Sequence, residues 1–491
     1  MIPVTNSITS HSGLFINGSW LNDGKPLEVI DKYSGEAIAQ VKNAMPIHVD
    51  AAISSAEHAM NCGILSVRKR FETLCQVAGI LEAKSDEIIN TYIAETGFTL
   101  SDATTELQRA CNTLRLSAEE ALKLSGEVVP VGSAYGHDRR LAFTILAPIG
   151  VVCAIAPFNA PLNTVVHKIA PAIAAGNAVV LKPAAKTPLC SVLLCEAFSE
   201  AGLPPGYLNL VIGEGSTVGR QLVEDKRIRY FTFTGSTNVG LFVKQRSGIA
   251  KTHLELGSNS ATIVCKDADL ELAAELIVTG GYRKAGQVCT SVQRLLLDNK
   301  IAKDLQDLLV ERITKLRLGD PHLPETDVGP MISLEAAGRA FQLVNETIAA
   351  GATCILGGTS LGSLFEPTLI INTPQKSALM KDEVFAPVIV SKSVAGLKEA
   401  VEIANDSDYG LQAGIFTNDI DAAFWAANNL QVGGVMVNDT SSYHADLMPY
   451  GGVKASGYGT EGPHYAARDM SVNRIVVFNL KTPQLTDYSQ A

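Results

Sequence analysis

From about residue 149 onward, short apolar runs alternate with amphipathic segments, and this alternation restricts the fold more than any other feature. The runs GVVCAIAP, NAVVLKP, YLNLVIG and IRYFTFTG are short and apolar, as buried strands are. Helical stretches such as TVVHKIAPAIAAG and SVLLCEAFSEAG separate them. Strands and helices that alternate in this way predict a parallel sheet with helices on both faces. Ligands bind such sheets at the carboxyl ends of the strands.

A second αβ region follows residue 257, with ATIVC, RLLLD, AGIFTN and GGVMVN as strands and a long helix over AKDLQDLLVERITKL. Ahead of the first sheet, GEVVPVG and RRLAFTILAPIG predict a two-stranded excursion. An isolated hairpin is marginally stable in water, so we expect this one to pack against another part of the structure. The C-terminal run SVNRIVVFNL is the expected neighbouring strand, and a partner subunit is a candidate contact.

Composition and charge exclude several classes of protein. The 491 residues are 46% hydrophobic and 18% charged, which is typical of a folded globular protein. The formal charge of −10 has no long acidic or basic run behind it, so nucleic-acid binding is not expected. The first residues lack a basic and then apolar leader, and no run of about 18 residues is wholly apolar. We therefore expect a soluble cytoplasmic protein without membrane segments.

The nine cysteines are scattered and form no C-x-x-C pair, which predicts reduced thiols and no metal site. One of them, Cys289, lies in the segment RKAGQVCTSVQR. A free cysteine is most often a buried packing residue, and no histidine lies near Cys289 in the sequence to activate it. On these residues alone, Cys289 has two interpretations, a nucleophile and a buried apolar side chain.

Four further segments place polar residues at the ends of predicted strands. FTGSTNVG, residues 233–240, offers backbone N–H groups to a phosphate, although glycines after strands are commonly just turns. Lys182 in LKPAAKTP either binds ribose hydroxyls or is solvated. Asn159 in APFNAP either donates to an oxyanion or caps a helix. Glu255 in LELGSNS is either ion-paired or a base with a raised pKa.

Taken in order, the segments PFNAP, LKPA, FTGS, LELG, GQVCT, DEVFAP and MPYGGVKASGYGTEG resemble the NAD(P)-dependent aldehyde dehydrogenase superfamily. The resemblance runs from about residue 14 to residue 478. It implies the α/β aldehyde dehydrogenase fold, with a Rossmann-like parallel-sheet coenzyme domain, an αβ catalytic domain and a small β oligomerisation arm. The implied bounds are residues 1–125 and 147–256 for the coenzyme domain, 257–446 for the catalytic domain, and 126–146 with 470–491 for the arm.

The resemblance also implies a role for each of these polar residues. Cys289 becomes the nucleophile and Glu255 the general base, while Asn159 and the Cys289 backbone N–H form the oxyanion hole. An aldehyde would be oxidised to its carboxylate through a thiohemiacetal and a thioester on Cys289, with NAD or NADP as coenzyme. Lys182 and Glu383 would hold the two riboses and Ser236 the pyrophosphate. The full set of implied coenzyme-binding residues is Pro157, Phe158, Lys182, Ala184, Ala185, Gly215, Phe233, Thr234, Gly235, Ser236, Val239, Leu256, Glu383 and Phe385.

The sequence departs from the family pattern in three places. Ser258 stands where the motif after Glu255 usually has a second glycine, and Ala386 replaces the usual glycine of EVFAP. Ala185 occupies a position where many NAD-preferring members carry a glutamate that excludes a 2′-phosphate. With Lys186 beside it and no carboxylate, NADP is not repelled, so the preference between NAD and NADP stays open.

The context of Cys289 and the run VNDTSSYHADLMPYGGVKASG look most like the branch that handles short hydroxylated or anionic aldehydes. Lactaldehyde, glyceraldehyde 3-phosphate, phosphonoacetaldehyde and sulfoacetaldehyde are examples of such substrates. A guanidinium matches an anionic group with two parallel hydrogen bonds. The alternatives are that Arg109 pairs with Glu106 on its own helix and that Arg283 is solvated. The candidate substrate-binding residues are Arg109, Arg283, Val288, Thr290 and His444.

Two other functions are compatible with the fold. A CoA-acylating aldehyde dehydrogenase would lack the glutamate base, and a silent structural or binding protein would lack the cysteine or the asparagine. Glu255, Cys289 and Asn159 are all present and count against both. The expected partners are therefore a small-molecule aldehyde and further copies of the chain in a homodimer or homotetramer, with neither nucleic acid nor membrane.

Overall fold

A computed structural model of the chain describes residues 11–481. The first ten residues of the predicted coenzyme domain and the last ten of the predicted arm lie outside the described residues. The helices, in chain order, are α1 (Pro46–Asn61), α2 (Val67–Ala83), α3 (Ser85–Thr96), α4 (Leu100–Lys123), α5 (Asn163–Ala174), α6 (Leu189–Glu200), α7 (Arg220–Glu224), α8 (Thr237–Arg246), α9 (Leu270–Tyr282), α10 (Ala302–Ile313), α11 (Leu334–Ala349), α12 (Ala378–Lys381), α13 (Leu397–Asn405), α14 (Ile420–Asn429) and α15 (Pro463–Asp469).

The strands are mostly short, and many of them follow a helix directly. In chain order they are β1 (Leu14–Ile16), β2 (Ser19–Leu21), β3 (Lys25–Ile30), β4 (Ala37–Asn43), β5 (Val128–Val129), β6 (Arg140–Pro148), β7 (Val151–Ile155), β8 (Ala178–Lys182), β9 (Leu208–Leu210), β10 (Ile228–Thr234), β11 (Lys251–Glu255), β12 (Ala261–Val264), β13 (Arg294–Asp298), β14 (Thr353–Leu356), β15 (Ser360–Leu361), β16 (Leu364–Phe365), β17 (Thr368–Ile371), β18 (Val388–Val394), β19 (Tyr409–Gly410), β20 (Gln412–Phe416), β21 (Gly434–Val437), β22 (Val453–Lys454), β23 (Gly457–Tyr458) and β24 (Ser471–Asn479).

The first large sheet has eight strands in the order β2-β1-β9-β8-β7-β10-β11-β23. Its five central strands, from β9 to β11, run parallel to one another, as the alternating pattern predicts. Strands β7 and β8 are buried along their whole length, which explains why their sequences are continuously apolar. The α/β fold class predicted from the sequence is therefore confirmed for this region.

The second large sheet has seven strands in the order β14-β17-β18-β13-β12-β20-β21. All of its neighbouring pairs are parallel except β14 with β17. Each large sheet has its own hydrophobic core. After β21 the chain returns to the first sheet, where β23 pairs with β11 and α15 joins the first core.

The 24-residue helix α4 packs against α2 and α5 in the first core. Thr99 caps its first turn by accepting a hydrogen bond from the Asp102 backbone N–H. Buried apolar residues then recur at positions 103, 107, 110 and 114, the spacing of one helix face. This face anchors the helix, so its polar residues Glu106 and Arg109 are held in fixed positions beside the large sheets.

The predicted excursion forms a three-stranded sheet in the order β24-β6-β5. Strand β24 runs antiparallel to β6 over nine paired residues, so the pairing expected for the C-terminal run is present. Several apolar side chains of this small sheet are exposed, among them Leu141, Ile145, Ile475 and Phe478. Among the helices described between residues 11 and 481, none has both the length and the apolar character needed to cross a membrane.

Candidate active site

The candidate catalytic residues lie where the two large sheets face each other. Glu255 is the last residue of β11, Asn159 follows β7, and Cys289 lies just ahead of β13. The carboxyl edge of the first sheet therefore faces the amino edge of the second. This arrangement agrees with the general rule that ligands bind outside the carboxyl ends of parallel strands.

A cavity of about 90 Å³ lies between these edges. Cys289, Glu255 and Asn159 all line it, so the structure brings the three candidate catalytic residues together. The five candidate substrate-binding residues also line this cavity, namely Arg109, Arg283, Val288, Thr290 and His444.

The Cys289 thiol lies 3.0 Å from the Tyr450 hydroxyl. Burial raises the pKa of the thiol to about 12, and the hydrogen bond from Tyr450 opposes this rise. The carboxylates of Glu255, Glu383 and Glu461 also raise the pKa of the thiol because each disfavours a nearby thiolate. These surroundings favour the protonated thiol, so Cys289 must lose its proton before it can act as a nucleophile.

Glu255 is fully surrounded by protein, and burial raises the pKa of its carboxyl to about 7. His253 opposes this rise, with its Nε2 atom 3.3 Å from Oε1 of Glu255. Within residues 11–481, neither carboxyl oxygen of Glu255 has a hydrogen-bond partner. A carboxyl with a pKa near 7 and unused acceptors is suited to take a proton from water.

Asn159 is fixed by the segment that precedes Cys289. Its side-chain amide donates a hydrogen bond of 2.8 Å to the backbone oxygen of Gln287, which orients the amide plane. The second N–H of this amide is then available to a substrate oxygen. Gln287 is itself fixed, since its side-chain oxygen accepts from the Ile332 backbone N–H at 2.9 Å.

The alternative in which Arg109 pairs with Glu106 on its own helix does not hold. Arg109 instead binds Asp446, with Nη2 and Nε of Arg109 2.7 and 3.1 Å from Oδ1 of Asp446, because its side chain reaches across to the segment after β21. Burial disfavours the charge on Asp446, but His167 and Arg109 outweigh this and hold its pKa well below the usual range. His444 lies 2.5 Å from Arg109, and burial together with the Arg109 charge lowers its pKa to about 3.

Arg283 differs from the other cations of the cavity, since it has no acidic partner in the part of the chain that the structure describes. Its Nε atom donates to the Ser442 hydroxyl at 3.2 Å. Arg109 pairs with Asp446, and Lys284 pairs with Glu106 at 2.9 Å. Among the described residues, Arg283 is therefore the one cationic arginine or lysine of the cavity with no carboxylate within ion-pair distance. Its half-buried guanidinium is open to an anion.

A buried polar cluster that sequence reasoning missed lies behind Glu255. Lys168 donates to Thr234 at 2.6 Å and lies 3.5 Å from Glu461. Burial lowers the pKa of Lys168 in spite of the nearby carboxylates. Glu461 has a pKa of about 2, since the charges of Lys168 and His167 outweigh its burial. The signal for Lys168 was a charged residue inside the otherwise apolar run TVVHKIAPAIAAG.

The candidate coenzyme residues extend from the same edge of the first sheet. Lys182 ends β8, and burial lowers the pKa of its ammonium to about 8. Its hydrogen bond of 3.2 Å to the Pro183 oxygen leaves further donors for ribose hydroxyls. Ser236 is the N-cap of α8, and its side chain makes no capping bond, so the helix N-terminus is open to a phosphate.

Glu383 and Phe385 approach from the amino edge of the second sheet. Burial raises the pKa of Glu383 to about 7, and its carboxyl accepts from the Ser258 backbone N–H at 2.8 Å. Phe385 meets Phe158 edge to face, with the ring centres 5.8 Å apart. The serine that departs from the family pattern thus contributes its backbone, not its side chain, to the position of Glu383.

The remaining candidate coenzyme residues lie at the ends of strands of the first large sheet or on the segments that follow them. Ala185 lines a cavity of about 700 Å³, together with Lys186 and Glu214. Gly215 begins a short helical turn, Val239 lies exposed on α8, and Leu256 packs against Gly240 of that helix. Phe233 and Thr234 end β10 and Gly235 follows them, while Pro157 and Ala184 come two residues after β7 and β8. Unused donors at Lys182 and an open helix end fit a dinucleotide.

Comparison with known proteins agrees with this arrangement. The sequence profile of the Aldehyde dehydrogenase family matches residues 20–476. The 3-sulfolactaldehyde dehydrogenase of Priestia megaterium is 44% identical over 468 residues, covering 95% of this chain and 98% of the relative. The lactaldehyde dehydrogenase of Methanocaldococcus jannaschii is 37% identical over 471 residues, 95% of this chain and all of the relative.

Solved structures show the same architecture. The NADP-dependent glyceraldehyde-3-phosphate dehydrogenase of Bacillus halodurans, complexed with NADP, superposes with a TM-score of 0.94. It is 33% identical in sequence, and the match covers 96% of this chain and 100% of that structure. The chain spans nearly the full length of all these proteins, and it belongs to the aldehyde dehydrogenase family.

Proposed function

We propose that this enzyme oxidises a short anionic aldehyde to its carboxylate, with NAD or NADP as coenzyme, through a thioester on Cys289. The observation that carries the proposal is the cavity in which Cys289, Glu255 and Asn159 meet a cation, Arg283, that has no carboxylate partner within residues 11–481. The relatives named for 3-sulfolactaldehyde and glyceraldehyde 3-phosphate suggest the same substrate class. Hydroxylated neutral aldehydes, as in the lactaldehyde dehydrogenases, are the second candidates.

The first step is the addition of Cys289 to the aldehyde carbon. The thiol releases its proton to solvent water, the sulfur bonds to the aldehyde carbon as the carbonyl π bond opens, and the oxygen of the resulting thiohemiacetal carries the developing negative charge. The Asn159 amide and the Cys289 backbone N–H donate to this oxygen. A donor of this kind contributes about 3 kcal/mol to transition-state stabilisation. When bound, NAD(P) supplies the electron acceptor for the oxidation.

The second step is hydrolysis of the thioester that the oxidation leaves on Cys289. Glu255 takes a proton from water, the resulting hydroxide attacks the thioester carbon, and the carbon–sulfur bond breaks. The acid product leaves as its carboxylate, and the Cys289 thiolate is protonated by Glu255, which regenerates the carboxylate base. The unused acceptors of Glu255 and its pKa of about 7 favour water over CoA as the acyl acceptor.

The proposed coenzyme site accepts either NAD or NADP. Ala185 presents no carboxylate to a 2′-phosphate, and the Lys186 ammonium lies near, bonded to the Ser333 hydroxyl at 3.2 Å. The solved relatives contain both coenzymes, NADP in the Bacillus halodurans enzyme and NAD+ in a betaine aldehyde dehydrogenase from Staphylococcus aureus. Separate assays with the two coenzymes would measure the preference.

The remaining parts of the proposal concern the whole chain. We assign residues 1–125 and 147–256 to coenzyme binding, 257–446 to catalysis, and 126–146 with 470–491 to an oligomerisation arm. The two separate cores and the small exposed sheet support this division. A homodimer or homotetramer would cover the apolar side chains of the arm. We place the enzyme in the cytoplasm, since all nine cysteines are unpaired.

Variants of Arg283 test the substrate class. Arg283→Met should raise KM for an anionic aldehyde such as 3-sulfolactaldehyde at least tenfold, because truncating one partner of a buried charge pair costs about 2–5 kcal/mol. KM for propanal should stay nearly unchanged, since propanal has no charge to bind. Steady-state assays with both aldehydes make the comparison.

Arg283→Lys is the matched control, because it keeps the positive charge and should retain part of the preference for the anion. Arg109→Ala should weaken turnover of both aldehydes, since it leaves the buried Asp446 carboxylate without its partner. Equal losses on both aldehydes in Arg283→Met would show that the anionic substrate class is wrong.

A further inference from the structure

The segment that leads into Cys289 has an unfavourable backbone conformation. Lys284, Ala285 and Gly286 are three consecutive left-handed residues, with φ of 51°, 51° and 66°. Lys284 and Ala285 carry side chains, and such residues rarely adopt this conformation because Cβ crowds the following carbonyl oxygen. Contacts from the surrounding structure must therefore hold the turn in place.

The Lys284 side chain supplies such contacts. Its ammonium is buried, 2.9 Å from Oε2 of Glu106, and donates a second hydrogen bond of 3.0 Å to the backbone oxygen of Asn159. The rings of Tyr92 and Phe98 enclose it, with their centres 5.7 and 5.5 Å from the nitrogen. A positive charge near ring faces and a carboxylate is strongly held.

The Glu106 carboxylate, which pairs with Lys284, also binds the start of α5. Its Oε1 atom accepts from the backbone N–H of Asn163, the first residue of α5, at 2.9 Å. Asn159 in turn donates from its side chain to the Gln287 oxygen. Lys284 and Gln287, in the turn before Cys289, therefore both bond to Asn159, and Glu106 bonds to both Lys284 and Asn163. The Lys284–Glu106 ion pair thus completes a ring of contacts between the turn and the segment 159–163.

We propose that Lys284 and Glu106 are positioning residues that hold the oxyanion donor Asn159 in register with Cys289. This inference rests on the proposed function, in which Asn159 donates to the oxygen of the Cys289 adduct. The ion pair fixes both the left-handed turn and the backbone of Asn159, so that the amide and the sulfur keep one relative geometry. A misplacement of about 1 Å in such a site can cost about a hundredfold in rate.

Lys284 also lines the cavity, so a second role must be separated from this one. A lysine that bound the substrate anion would affect KM, and only for anionic aldehydes. A positioning lysine affects kcat, and for every aldehyde, because each uses the same oxyanion donor. Measuring kcat and KM with an anionic and a neutral aldehyde therefore distinguishes the two roles of Lys284.

The test uses Lys284→Met, Glu106→Gln and the double variant in the full-length enzyme. We expect kcat to fall at least tenfold with both propanal and an anionic aldehyde, and KM for each to change less than twofold. Since the two residues act as one unit, the double variant should be about as slow as the slower single variant. Lys284→Arg keeps the charge and should recover part of the lost kcat.

A readout without aldehyde completes the test. Hydrogen–deuterium exchange should be faster in peptides covering residues 283–294 and 156–163 of each variant, and unchanged in the strands of the second sheet. Lys284→Met leaves a buried carboxylate unpaired, so if it does not fold, the uncharged double variant carries the test.

The positioning role would be overturned if the double variant kept the wild-type kcat. It would also be overturned if hydrogen–deuterium exchange in the two peptides did not change, or if only KM for the anionic aldehyde changed. A wild-type enzyme that oxidises no aldehyde would instead contradict the proposed function, and the exchange measurement would still decide this inference.

Discussion

At the scale of single residues, burial decides the chemistry of the site. It raises the pKa of Cys289 to about 12 and that of Glu255 to about 7, in the same cavity. The family resemblance implied roles for both residues and for Asn159, and all three line one cavity. The sequence could not predict the contact between Cys289 and Tyr450, which are 161 positions apart and meet only in the folded chain.

The pH dependence of turnover follows from Glu255. In the proposed mechanism, hydrolysis of the thioester needs the ionised Glu255 carboxylate. Burial raises the pKa of this group from an ordinary 4.5 to about 7. Where hydrolysis limits the rate, kcat should therefore rise with pH through about 7 and then level off. A kcat profile measured with a saturating aldehyde checks this, and a rate with no step near pH 7 would exclude Glu255 as the limiting base.

At the scale of elements, the sequence predicted the strand β13 but not the left-handed turn that leads into Cys289. Gly286 was the one local signal, since Lys284 and Ala285 are not residues that favour positive φ. The turn is imposed by tertiary contacts, namely the Lys284–Glu106 ion pair and the close approach of residue 386. Sequence patterns report local preference, and here packing overrides it.

Gly286→Ala tests the packing of this turn. An added Cβ would lie 2.0 Å from the Ala386 backbone oxygen, at a φ of 66° that disfavours side chains. We expect a loss of about 2–5 kcal/mol in the free energy of unfolding, from overpacking and backbone strain together. Urea denaturation midpoints measure this loss.

Gly338→Ala is the matched control, because Gly338 lies exposed within α11 and an added Cβ would meet nothing within 4 Å. Alanine there should be neutral or stabilise the protein by up to about 1 kcal/mol. Equal midpoints for the two variants would show that the approach of residue 386 to the turn is not as close as described.

At the scale of the whole molecule, the site depends on how the two large sheets meet. The carboxyl edge of the first sheet faces the amino edge of the second. The alternating pattern predicted two αβ regions and a small third sheet, and these are present. It could not predict which edges meet, because that is decided by pairs distant in sequence. The ion pair of Arg109 with Asp446, 337 positions apart, is one of these, whereas the sequence offered Arg109 either as an anion-binding residue or as a partner of Glu106.

The exposed apolar side chains of the small sheet β24-β6-β5 predict that the chain forms a homo-oligomer. Ile475 and Phe478 are about half exposed on β24, and a second subunit would remove them from water. Light scattering should give a mass of two or four times the 52.0 kDa of the chain. Ile475→Lys with Phe478→Lys should lower this mass, while the exposed Ile47→Lys on α1 serves as control. A wild-type monomer would contradict the oligomerisation arm.

The most direct test of the central claim is a rapid-mixing experiment on Glu255→Gln. With an anionic aldehyde and coenzyme, this variant should give one equivalent of NAD(P)H in a burst and then a slow steady state. Mass spectrometry should find the acyl group on the peptide that contains Cys289. Cys289→Ala should give neither burst nor adduct while still binding coenzyme. Normal turnover without a burst in Glu255→Gln, or an adduct on another residue, would contradict the account.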